Sequence, residues 1–449
     1  MNAEPDLRRI AEVGPLIRDG RLSPVELVRH CLAQIDSRPE INAFITRTGD
    51  RALEEARALD AEIRAGRYRG PLHGIPIAVK DLIDVAGTPT TSGSAVPARH
   101  PTTDAPSVVT LRAAGAIIVG KTNLHEFAFG TTSEESAFGP VRNPYDVSRS
   151  AGGSSGGSAA ALAAGMCFGA LGTDTGGSIR IPSAACGTVG LKPTLDEISC
   201  EGVVPLSTTC DHLGPMARSV ADVALLYQVL KGAAPAPPQR SNEKLRFGVP
   251  RPYFCDRLDS GTRDALDRAT AALRAAGHSV EDVEIAHAAR TPDVYLHIVL
   301  PEASQYHAPA LERFAANYCP GVRVRLEMGR YVLAEDYVRA MRLRTMLTAA
   351  VDRALANLDA LFLPALPIAA PPLGASTVDL GGSPEPVRAA MLRLTQLFNL
   401  TGHPSIALPC SQTIDPLPRG IQLVGQRLAT ERLLEIGATV EVELTEITG

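Results

Sequence analysis

The 449-residue chain contains no tryptophan, and its phenylalanine and tyrosine residues make up only 4% of the sequence. Aromatic side chains therefore supply little of the bulk available for a core or a ligand pocket. A surplus of positive charge is also lacking, because 44 lysine and arginine residues face 49 aspartate and glutamate residues and the net charge is −5. Nucleic acids and anionic membranes attract proteins through such a surplus. We therefore expect neither as a partner.

The sequence also lacks a recognisable targeting segment, membrane span or cysteine motif. Residues 1–9 are polar and carry charges of both signs, so they do not form a secretory signal. The longest apolar stretch, about residues 159–171, is too short to cross a bilayer. None of the eight cysteines forms a C-x-x-C pair, which predicts scattered buried thiols rather than disulfides or a zinc site. These observations predict a cytoplasmic protein that binds no metal.

Short apolar runs alternate with helical segments along most of the chain. Residues 75–79 and 116–119 predict buried strands, and residues 107–114 between them predict a helix. Beyond a proline-rich joint at residues 233–239 the alternation resumes, with further strands and helices predicted at residues 246–249, 262–275, 337–356, 361–364, 405–409 and 421–424. This pattern predicts an α/β fold in which residues 1–449 form a single large domain. Helices are expected to cover both faces of a central, twisted, mixed but mostly parallel β-sheet.

Glycine is concentrated at the centre of the sequence, in residues 152–157 and again in residues 172–177. The Gly-Gly-Ser-Ser-Gly-Gly run has the composition of a flexible linker. An alanine-rich helix and a strand follow it at once, however, as in a protein core rather than a joint. A phosphate-binding loop is disfavoured as well, because the G-x-x-x-x-G-K-[ST] pattern is absent. The glycines instead indicate a backbone that approaches a substrate closely.

Ser178 follows two glycines just beyond a predicted strand, at the expected start of a helix. This position exposes its hydroxyl and directs the N–H groups of residues 175–178 into one concavity, where they can stabilise an oxyanion. A serine nucleophile needs a base, and none of the ten histidines lies in a recognisable triad pattern. Lys80 ends the apolar run 75–79, where burial would lower its pKa and leave the amine neutral. A lysine that extends from a strand end into solvent is the alternative interpretation.

The glycine-rich segments resemble the amidase signature family. The residues that carry the resemblance are 77–81, 120–123, 152–157, 172–180, 186–187 and 190–194. The similarity extends over about residues 5–440 and implies the amidase signature fold. It also implies a signature core at residues 70–235, and a second part of the same fold at residues 236–449 with helices that determine substrate specificity.

The resemblance implies a Ser–cis-Ser–Lys triad, with Ser178 as the nucleophile, Ser154 as a bridging serine held by a cis peptide bond, and Lys80 as the base. The oxyanion hole that it implies consists of Thr175, Gly176, Gly177 and Ser178, and the implied supporting residues are Ser155, Asp174 and Arg180. No metal or organic cofactor is implied. A binding protein without activity is disfavoured because all three triad residues are present. We expect a monomer or a homodimer.

Members of this family cleave amides, ureas and carbamates, and residues 127–133 and 206–210, which are expected to contact the substrate, carry no charged side chain. We therefore expect an amidohydrolase acting on a neutral, partly apolar or aryl amide or carbamate of the urethane type. The residues expected to line its pocket are Phe127, Phe129, Gly130, Thr131, Thr132, Leu206 and Arg344. Residues 196–210 are where a mobile lid would be useful.

Two alternative functions stay open within the family. One is the glutaminase subunit of a glutamyl-tRNA amidotransferase, since Arg344 resembles the glutamine-contacting arginine of that protein. Against this alternative, residues 392–394 read Leu-Arg-Leu where the glutaminase usually has an acid, and the chain ends soon after the last predicted helix. The other alternative is a hydrolase of a small urea-type metabolite such as biuret or allophanate.

Overall fold

The computed structural model of the protein describes residues 9–240, 243–410 and 416–446. The polar start of the chain, considered above for a targeting role, lies outside this range except for Arg9. Within the described residues the strands are β1 Phe44–Arg47, β2 Pro76–Lys80, β3 Ile117–Thr122, β4 Arg142–Asn143, β5 Asp146–Ser150, β6 Gly169–Asp174, β7 Val189–Lys192, β8 His212–Ala217, β9 Arg246–Pro250, β10 Ser279–Val283, β11 Ala360–Pro364, β12 Thr377–Asp379, β13 Pro384–Pro386, β14 Ser405–Cys410 and β15 Arg419–Val424. The α-helices are α1 Ile10–Arg18, α2 Pro24–Ser37, α3 Gly49–Arg64, α4 Pro106–Ala113, α5 Gly156–Ala163, α6 Arg180–Cys186, α7 Val220–Leu230, α8 Ser260–Ala275, α9 Thr291–Phe314, α10 Pro320–Gly329, α11 Ala334–Leu355, α12 Val387–Leu392, α13 Gln396–Leu400 and α14 Thr430–Glu446.

Eleven of the strands form one sheet with the order β1-β3-β2-β6-β8-β7-β14-β15-β11-β9-β10. Parallel pairing occurs in two groups, β3–β2–β6 and β11–β9–β10. The strands between and beside these groups pair antiparallel. The predicted α/β class and the single mixed sheet are confirmed. Parallel pairing is confined to the two groups, and the other described pairings of this sheet are antiparallel.

The sheet packs against hydrophobic cores on both faces. Ile77 and Val79 of β2 belong to one core, whereas Ala78 between them belongs to a second. Because successive side chains of a strand point to opposite faces, the two cores lie on opposite sides of the sheet. The second core contains the alanines of α5 together with apolar residues of α2 and α3, while α4 and α7 contribute to the first. Helices therefore cover both faces around the strands that lead to the glycine-rich centre.

Strand pairing joins the early and late parts of the chain. Ser405 of β14 lies opposite Lys192 of β7 in an antiparallel pair. The proline-rich segment 233–239 between these parts forms neither helix nor strand. As a result, residues far apart in sequence meet: the Asn399 amide donates to the Asp174 carbonyl oxygen at 2.8 Å across 225 positions.

Helix α9 lies in residues 236–449, where the family resemblance implied helices that determine substrate specificity. It runs for 24 residues and contains Pro301 and Pro309 in its interior. Proline ordinarily breaks or kinks a helix because it lacks the N–H donor and crowds the preceding turn. Here α9 packs against both α10 and α11. Tertiary packing of an apolar face supplies most of the stability of helices in proteins. In α9 the stabilisation from this packing outweighs the destabilising effect of the two prolines.

No helix among the described residues combines the length and the apolar character needed to cross a membrane. The described residues also include no group of three or more histidine, cysteine, aspartate or glutamate side chains suited to holding a metal ion. All eight cysteines are free thiols and six of them are buried. This confirms the prediction of scattered core thiols.

Candidate active site

The predicted base and the predicted bridging serine lie in contact at the carboxyl ends of two interior strands of the sheet. Strands β2 and β6 are parallel neighbours, so their carboxyl ends bring Lys80 beside Thr173. Lys80 Nζ lies 2.8 Å from Ser154 Oγ and 2.8 Å from Thr173 Oγ1. Lys80 and Ser154 are both fully buried. The lysine therefore ends inside the protein and does not extend into solvent.

Burial lowers the pKa of Lys80 from its ordinary value of 10.5 to about 7. The negative charges of Asp174 and Asp211 oppose this effect, but removal of the amine from water dominates. Within the described part of the chain, Lys80 forms no ion pair with a carboxylate. A large share of the molecules therefore carries a neutral amine at neutral pH, and only a neutral amine can accept a proton.

Hydrogen bonds hold the loop that carries Ser154 on both sides of this residue, and the Gly153–Ser154 peptide bond is cis. The Ser154 carbonyl oxygen accepts hydrogen bonds from the His125 N–H and the Ser133 hydroxyl, each at 3.1 Å. The next hydroxyl, of Ser155, donates to the Thr173 carbonyl oxygen at 3.2 Å and accepts from the Thr173 N–H at 3.3 Å. Ser155 thus fastens the loop to the strand that precedes Ser178.

A tight turn at residues 175–178 links β6 to α6. The Gly176 carbonyl oxygen accepts a hydrogen bond from the Thr395 hydroxyl at 2.6 Å, and the Gly177 carbonyl oxygen accepts one from the Ile181 N–H at 2.7 Å. In contrast, none of the four backbone N–H groups of this turn donates a hydrogen bond to another described residue. Free donors gathered in one turn are able to bind the oxygen of a tetrahedral intermediate.

Ser178 lies at the end of this turn and is 6% exposed. Its hydroxyl forms no hydrogen bond with any described residue. Its carbonyl oxygen accepts a hydrogen bond from the Ser155 N–H at 3.1 Å. Because Ser155 directly follows Ser154, this bond holds the predicted nucleophile next to the predicted bridging serine.

An ion pair beneath the turn holds its two ends. Asp174 precedes the turn and Arg180 follows it, and their fully buried side chains lie 3.0 Å apart. The Asp174 carboxylate also accepts the Ile179 N–H at 3.1 Å, and Arg180 donates to Asn399 Oδ1 at 2.6 Å. Burial would raise the pKa of Asp174, but the Arg180 charge and the hydrogen bonds hold it well below its usual range. The carboxylate therefore stays ionised and the turn stays anchored.

Comparison with known proteins identifies the family to which this arrangement belongs. The Amidase family model matches residues 26–434. An amidase from Pseudomonas putida is 41% identical, with 97% of this chain and 96% of that protein covered. The chain belongs to the amidase signature family. A solved crystal structure of an amidase matches it with a TM-score of 0.93 at 39% identity, covering 97% of this chain and 99% of the other.

Proteins similar to the present chain also include subunits of amidotransferases. A glutamyl-tRNA(Gln) amidotransferase subunit from Carboxydothermus hydrogenoformans is 36% identical, with 96% of each chain covered. Similarity over the full length of both kinds of protein therefore establishes an amidohydrolase family that acts on C–N bonds. It does not by itself select a substrate.

Thr131, one of the residues predicted for the substrate pocket, lies beside the Ser154 loop. A Cβ built on Gly153 would lie 3.0 Å from the Thr131 carbonyl carbon. The Thr131 hydroxyl is buried and has no hydrogen-bond partner among the described residues. The neighbouring Thr132 accepts a hydrogen bond at its carbonyl oxygen from the Ser150 hydroxyl at 2.7 Å. This part of the predicted pocket is therefore next to the predicted triad.

Phe127 lies in a different place from the rest of the predicted pocket. Its ring packs against His307 and Tyr318, with centroid separations of 4.4 and 5.3 Å. It lines a cavity of about 200 Å³ whose walls include no residue of the Ser154 loop or of the turn 175–178. The two phenylalanines predicted for one pocket are thus separated.

The segment 196–210, predicted as a mobile lid, is attached to α9 and α11. The hydroxyls of Ser207 and Thr209 donate to the Glu302 carboxylate at 2.6 and 2.8 Å. The Arg344 guanidinium donates to the Thr209 carbonyl oxygen at 2.7 Å. Opening of this segment would require these bonds to break, and its motion stays a prediction.

Arg344 and Leu206 both serve the attachment of this segment. A second branch of the Arg344 guanidinium donates to the Leu400 carbonyl oxygen at 2.5 Å. Leu206 is buried, and its N–H donates to the Asp211 carboxylate at 2.8 Å. Arg344 therefore holds backbone carbonyl groups in the structure described.

Several residues at the site were not identified from the sequence, namely Thr173, Asp211, Tyr295 and Thr395. Thr173 lies in the glycine-rich block, and its place at a strand end was the available signal. Asp211 accepts the Thr175 hydroxyl at 2.6 Å, and burial raises its pKa to about 6. Tyr295 and Thr395 reach the turn from α9 and from the start of α13. No local pattern in the sequence marks either of them.

A side chain at position 177 is expected to disable the turn. Gly177 has φ +142°, and a Cβ there would lie 2.3 Å from the Thr395 hydroxyl oxygen that holds the Gly176 carbonyl. We expect Gly177→Ala to lower kcat/KM for amide hydrolysis by at least about 100-fold, because displacement of reacting groups by roughly 1 Å has that effect. Gly66→Ala is the matched control, since Gly66 has φ +74° but no atom within 4 Å of the added Cβ. Equal kcat/KM values in the two variants would contradict the prediction.

Proposed function

We propose that this amidase hydrolyses the C–N bond of a linear amide or carbamate through an acyl-enzyme. Ser178 is the nucleophile, Ser154 relays protons and Lys80 is the base. The observation that carries the proposal is the 2.8 Å contact between the Lys80 amine and the Ser154 hydroxyl in a buried site where the pKa of the amine is about 7. A neutral amine at this distance is able to take the proton of a hydroxyl.

Acylation begins with two linked proton transfers. Lys80 accepts the proton of Ser154 as Ser154 accepts that of Ser178, and the Ser178 oxygen attacks the substrate carbonyl carbon. The Ser178 hydroxyl must first turn toward Ser154, and its lack of a partner among the described residues leaves it free to rotate. The oxygen of the tetrahedral intermediate accepts hydrogen bonds from the free N–H groups of residues 175–178.

Collapse of this intermediate breaks the C–N bond. The proton held by Lys80 returns through Ser154 to the nitrogen, so that the amine leaves in neutral form. Water then attacks the acyl-enzyme while Ser154 and Lys80 accept its proton by the same path. Breakage of the ester bond returns a proton to Ser178 and releases a carboxylic acid, or a carbonate half-ester when the substrate is a carbamate.

The glutaminase of an amidotransferase is the second candidate, because a relative named as a glutamyl-tRNA(Gln) amidotransferase subunit is 36% identical. Two contacts favour the hydrolase. Residues 392–394 read Leu-Arg-Leu where the glutaminase usually has an acid, and Leu392 Cδ2 would lie 3.0 Å from a Cβ built on Gly176. The Arg344 guanidinium is engaged by the carbonyl oxygens of Thr209 and Leu400. The apolar side chain of Leu392 cannot pair with the α-amino group of glutamine. The guanidinium of Arg344 already donates to two backbone carbonyl oxygens, which leaves it poorly suited to bind the α-carboxylate.

The charge of the substrate needs a separate test. The expectation of a neutral substrate depended on the absence of charged side chains from residues 127–133 and 206–210. Arg325 and Arg388, from outside these segments, lie with their guanidinium carbons 5.4 and 5.7 Å from the centre of the Phe129 ring. Substrates that carry a carboxylate therefore belong in the test.

A substrate panel on the isolated chain tests the function, and labelling with a sulfonyl fluoride tests the nucleophile. The panel contains aryl amides, aryl carbamates, biuret, glutamine and monoamides of dicarboxylic acids. We expect a label on Ser178, located by peptide mass spectrometry, and turnover of an amide or carbamate without a protein partner. Glutaminase activity that appears only with added amidotransferase components would favour the second candidate. Fastest turnover of biuret would favour the urea-type hydrolase.

Labelling of Ser178 is expected to accelerate as the pH rises through about 7. Lys80 acts as a base only when neutral, and its pKa of about 7 confines the change to about one pH unit on either side. Asp211→Asn removes a negative charge that raises the Lys80 pKa, so the midpoint should move to lower pH. The second-order labelling rate between pH 5 and pH 9, corrected for hydrolysis of the reagent, measures both effects. A rate independent of pH, or a midpoint that rises in the variant, would contradict the assignment of Lys80.

A further inference from the structure

A cavity of about 210 Å³ lies beside the turn proposed to bind the oxyanion. Tyr295, Arg388 and Leu392 are among the residues in its wall. Tyr295 and Leu392 also border Gly176, because a Cβ built there would lie 2.5 Å from the Tyr295 hydroxyl oxygen and 3.0 Å from Leu392 Cδ2. Residues 175–178 do not themselves line the cavity, so Tyr295 and Leu392 stand between it and the backbone of the turn.

Arg388 places a positively charged side chain in the wall of this cavity. Its guanidinium Nε is shielded from solvent, and Arg388 makes neither a hydrogen bond nor an ion pair with any described residue. The guanidinium lies over the Phe129 ring, 5.7 Å from its centre. Burial lowers the pKa of Arg388 to about 10, and the positive charge of Arg325 acts in the same direction. The side chain is still protonated at neutral pH.

The other charged side chains around the cavity are already engaged. Arg393 donates to a backbone carbonyl oxygen at 2.7 Å. Arg325 donates to the Glu135 carboxylate at 2.9 Å. Glu385, the carboxylate in the cavity wall, is bonded to Arg257. Among the charged side chains described here, only that of Arg388 is left without a counter-charge or a hydrogen-bond acceptor among the described residues.

The position of Arg388 connects the two halves of the proposed catalytic machinery. On one side it contacts residue 129 of the loop 129–131, which borders Gly153. On the other side it lines the same cavity as Tyr295, which borders Gly176. An anionic group bound to this guanidinium would therefore lie close to a carbonyl held at the turn.

A guanidinium nitrogen that is shielded from water without an acceptor is energetically unfavourable, and Nε of the half-buried Arg388 is such a nitrogen. A carboxylate satisfies a guanidinium through two parallel hydrogen bonds. We propose that Arg388 binds a carboxylate of the substrate, so that the enzyme prefers amides or carbamates bearing a carboxylate over neutral ones of the same shape. The proposal rests on the proposed function. It replaces the expectation of a neutral substrate, which considered residues 127–133 and 206–210 but not the segment that contains Arg388.

Two matched pairs of substrates test the proposal and locate the carboxylate. In the first pair the acyl half carries the charge: the mono-4-nitroanilide of succinic acid is compared with its neutral primary amide by release of nitroaniline. In the second pair the amine half carries it: 4-acetamidobenzoate is compared with 4-acetamidobenzamide. We expect kcat/KM to favour the acid in one pair by about 10- to 100-fold, as for other hydrogen bonds between charged groups. Arg388→Gln should abolish this preference and Arg388→Lys should retain part of it.

Arg393→Gln is the matched control. Arg393 lies in the same wall, and the substitution removes the same charge, but its guanidinium is held by the Tyr253 carbonyl oxygen. The preference for the acid should persist in this variant. A preference that persists in Arg388→Gln, or equal turnover of acid and neutral forms in both pairs, would overturn the proposal.

Labelling of Ser178 by a sulfonyl fluoride separates this outcome from failure of the proposed function. Labelling that persists in Arg388→Gln shows intact catalytic machinery, whereas absence of labelling in the unaltered protein counts against the proposed function itself. If the unaltered protein turns over neither pair, protection of Ser178 by glutarate is compared with protection by glutaramide. Protection by glutarate alone, lost in Arg388→Gln, supports the proposal, and equal or absent protection overturns it.

Discussion

Replacing Ser178 with alanine is expected to lower kcat by about 10⁴- to 10⁶-fold. Without the hydroxyl no acyl-enzyme forms, and the two-step reaction is lost. The backbone N–H groups of residues 175–178 have no acceptor among the described residues and remain in place to bind the substrate carbonyl. The dissociation constant of the substrate should therefore change little. Rate measurements with a chromogenic amide or carbamate, together with peptide mass spectrometry after sulfonyl fluoride treatment, check both parts.

Ser183→Ala is the matched control for this variant. Ser183 lies on α6, is buried, and has a hydroxyl without a hydrogen-bond partner among the described residues. Its loss should change kcat by no more than about threefold, as for most substitutions outside a site. Full activity in Ser178→Ala, or a label on a different residue of the unaltered protein, would exclude Ser178 as the nucleophile.

Replacing Lys80 with methionine is expected to slow the labelling of Ser178 by about 10²- to 10⁴-fold at pH 7.5 and to remove the midpoint near pH 7. Methionine resembles lysine in length and suits apolar surroundings, so the variant removes the amine and little of the packing. The lysine amine is buried without a carboxylate partner among the described residues, and burial of a charge is unfavourable. The melting temperature should therefore not fall. Labelling rates between pH 5 and pH 9 and thermal unfolding measure the two effects.

Lys121→Met is the control that should behave in the opposite way. Lys121 lies on β3, the neighbouring strand, and pairs with Asp81 at 2.9 Å in a fully buried site. Its removal leaves Asp81 buried without its cation, which typically lowers the free energy of unfolding by about 3–5 kcal/mol. The melting temperature should fall while the midpoint near pH 7 persists. An unchanged labelling rate in Lys80→Met would exclude this lysine as the base.

The local conformation at Lys80 and at Ser178 could be anticipated from short stretches of chain, whereas the meeting of Lys80 with Ser154 across 74 positions was implied only by the family resemblance. An apolar run ends at Lys80, and a strand that ends in a turn with two glycines leads to Ser178. Such features determine local conformation and burial through neighbouring residues. The catalytic roles of these residues stay predictions until the variants are measured.

The substrate pocket could be predicted less well, as the two phenylalanines show. Phe127 and Phe129 are two positions apart, which would bring them to one face of an extended strand. In the structure Phe127 and Ala128 have φ values of +49° and +59°, so the chain turns between the two rings. Phe129 contacts Arg388, whereas Phe127 packs against His307. A single sequence gives no signal for positive φ at phenylalanine or alanine.

By itself the sequence determined the α/β class and the glycine-rich turn, and it left open whether Lys80 is buried or extends into solvent. Only the tertiary structure decided which side chains of the later half of the chain join the turn. Thr395 binds the Gly176 carbonyl across 219 positions, and Arg388 enters the cavity beside it. These contacts depend on the pairing of β7 with β14 in the middle of the sheet. Local conformation follows from adjacent residues, whereas the order of strands follows from packing of the whole chain, which no short segment encodes.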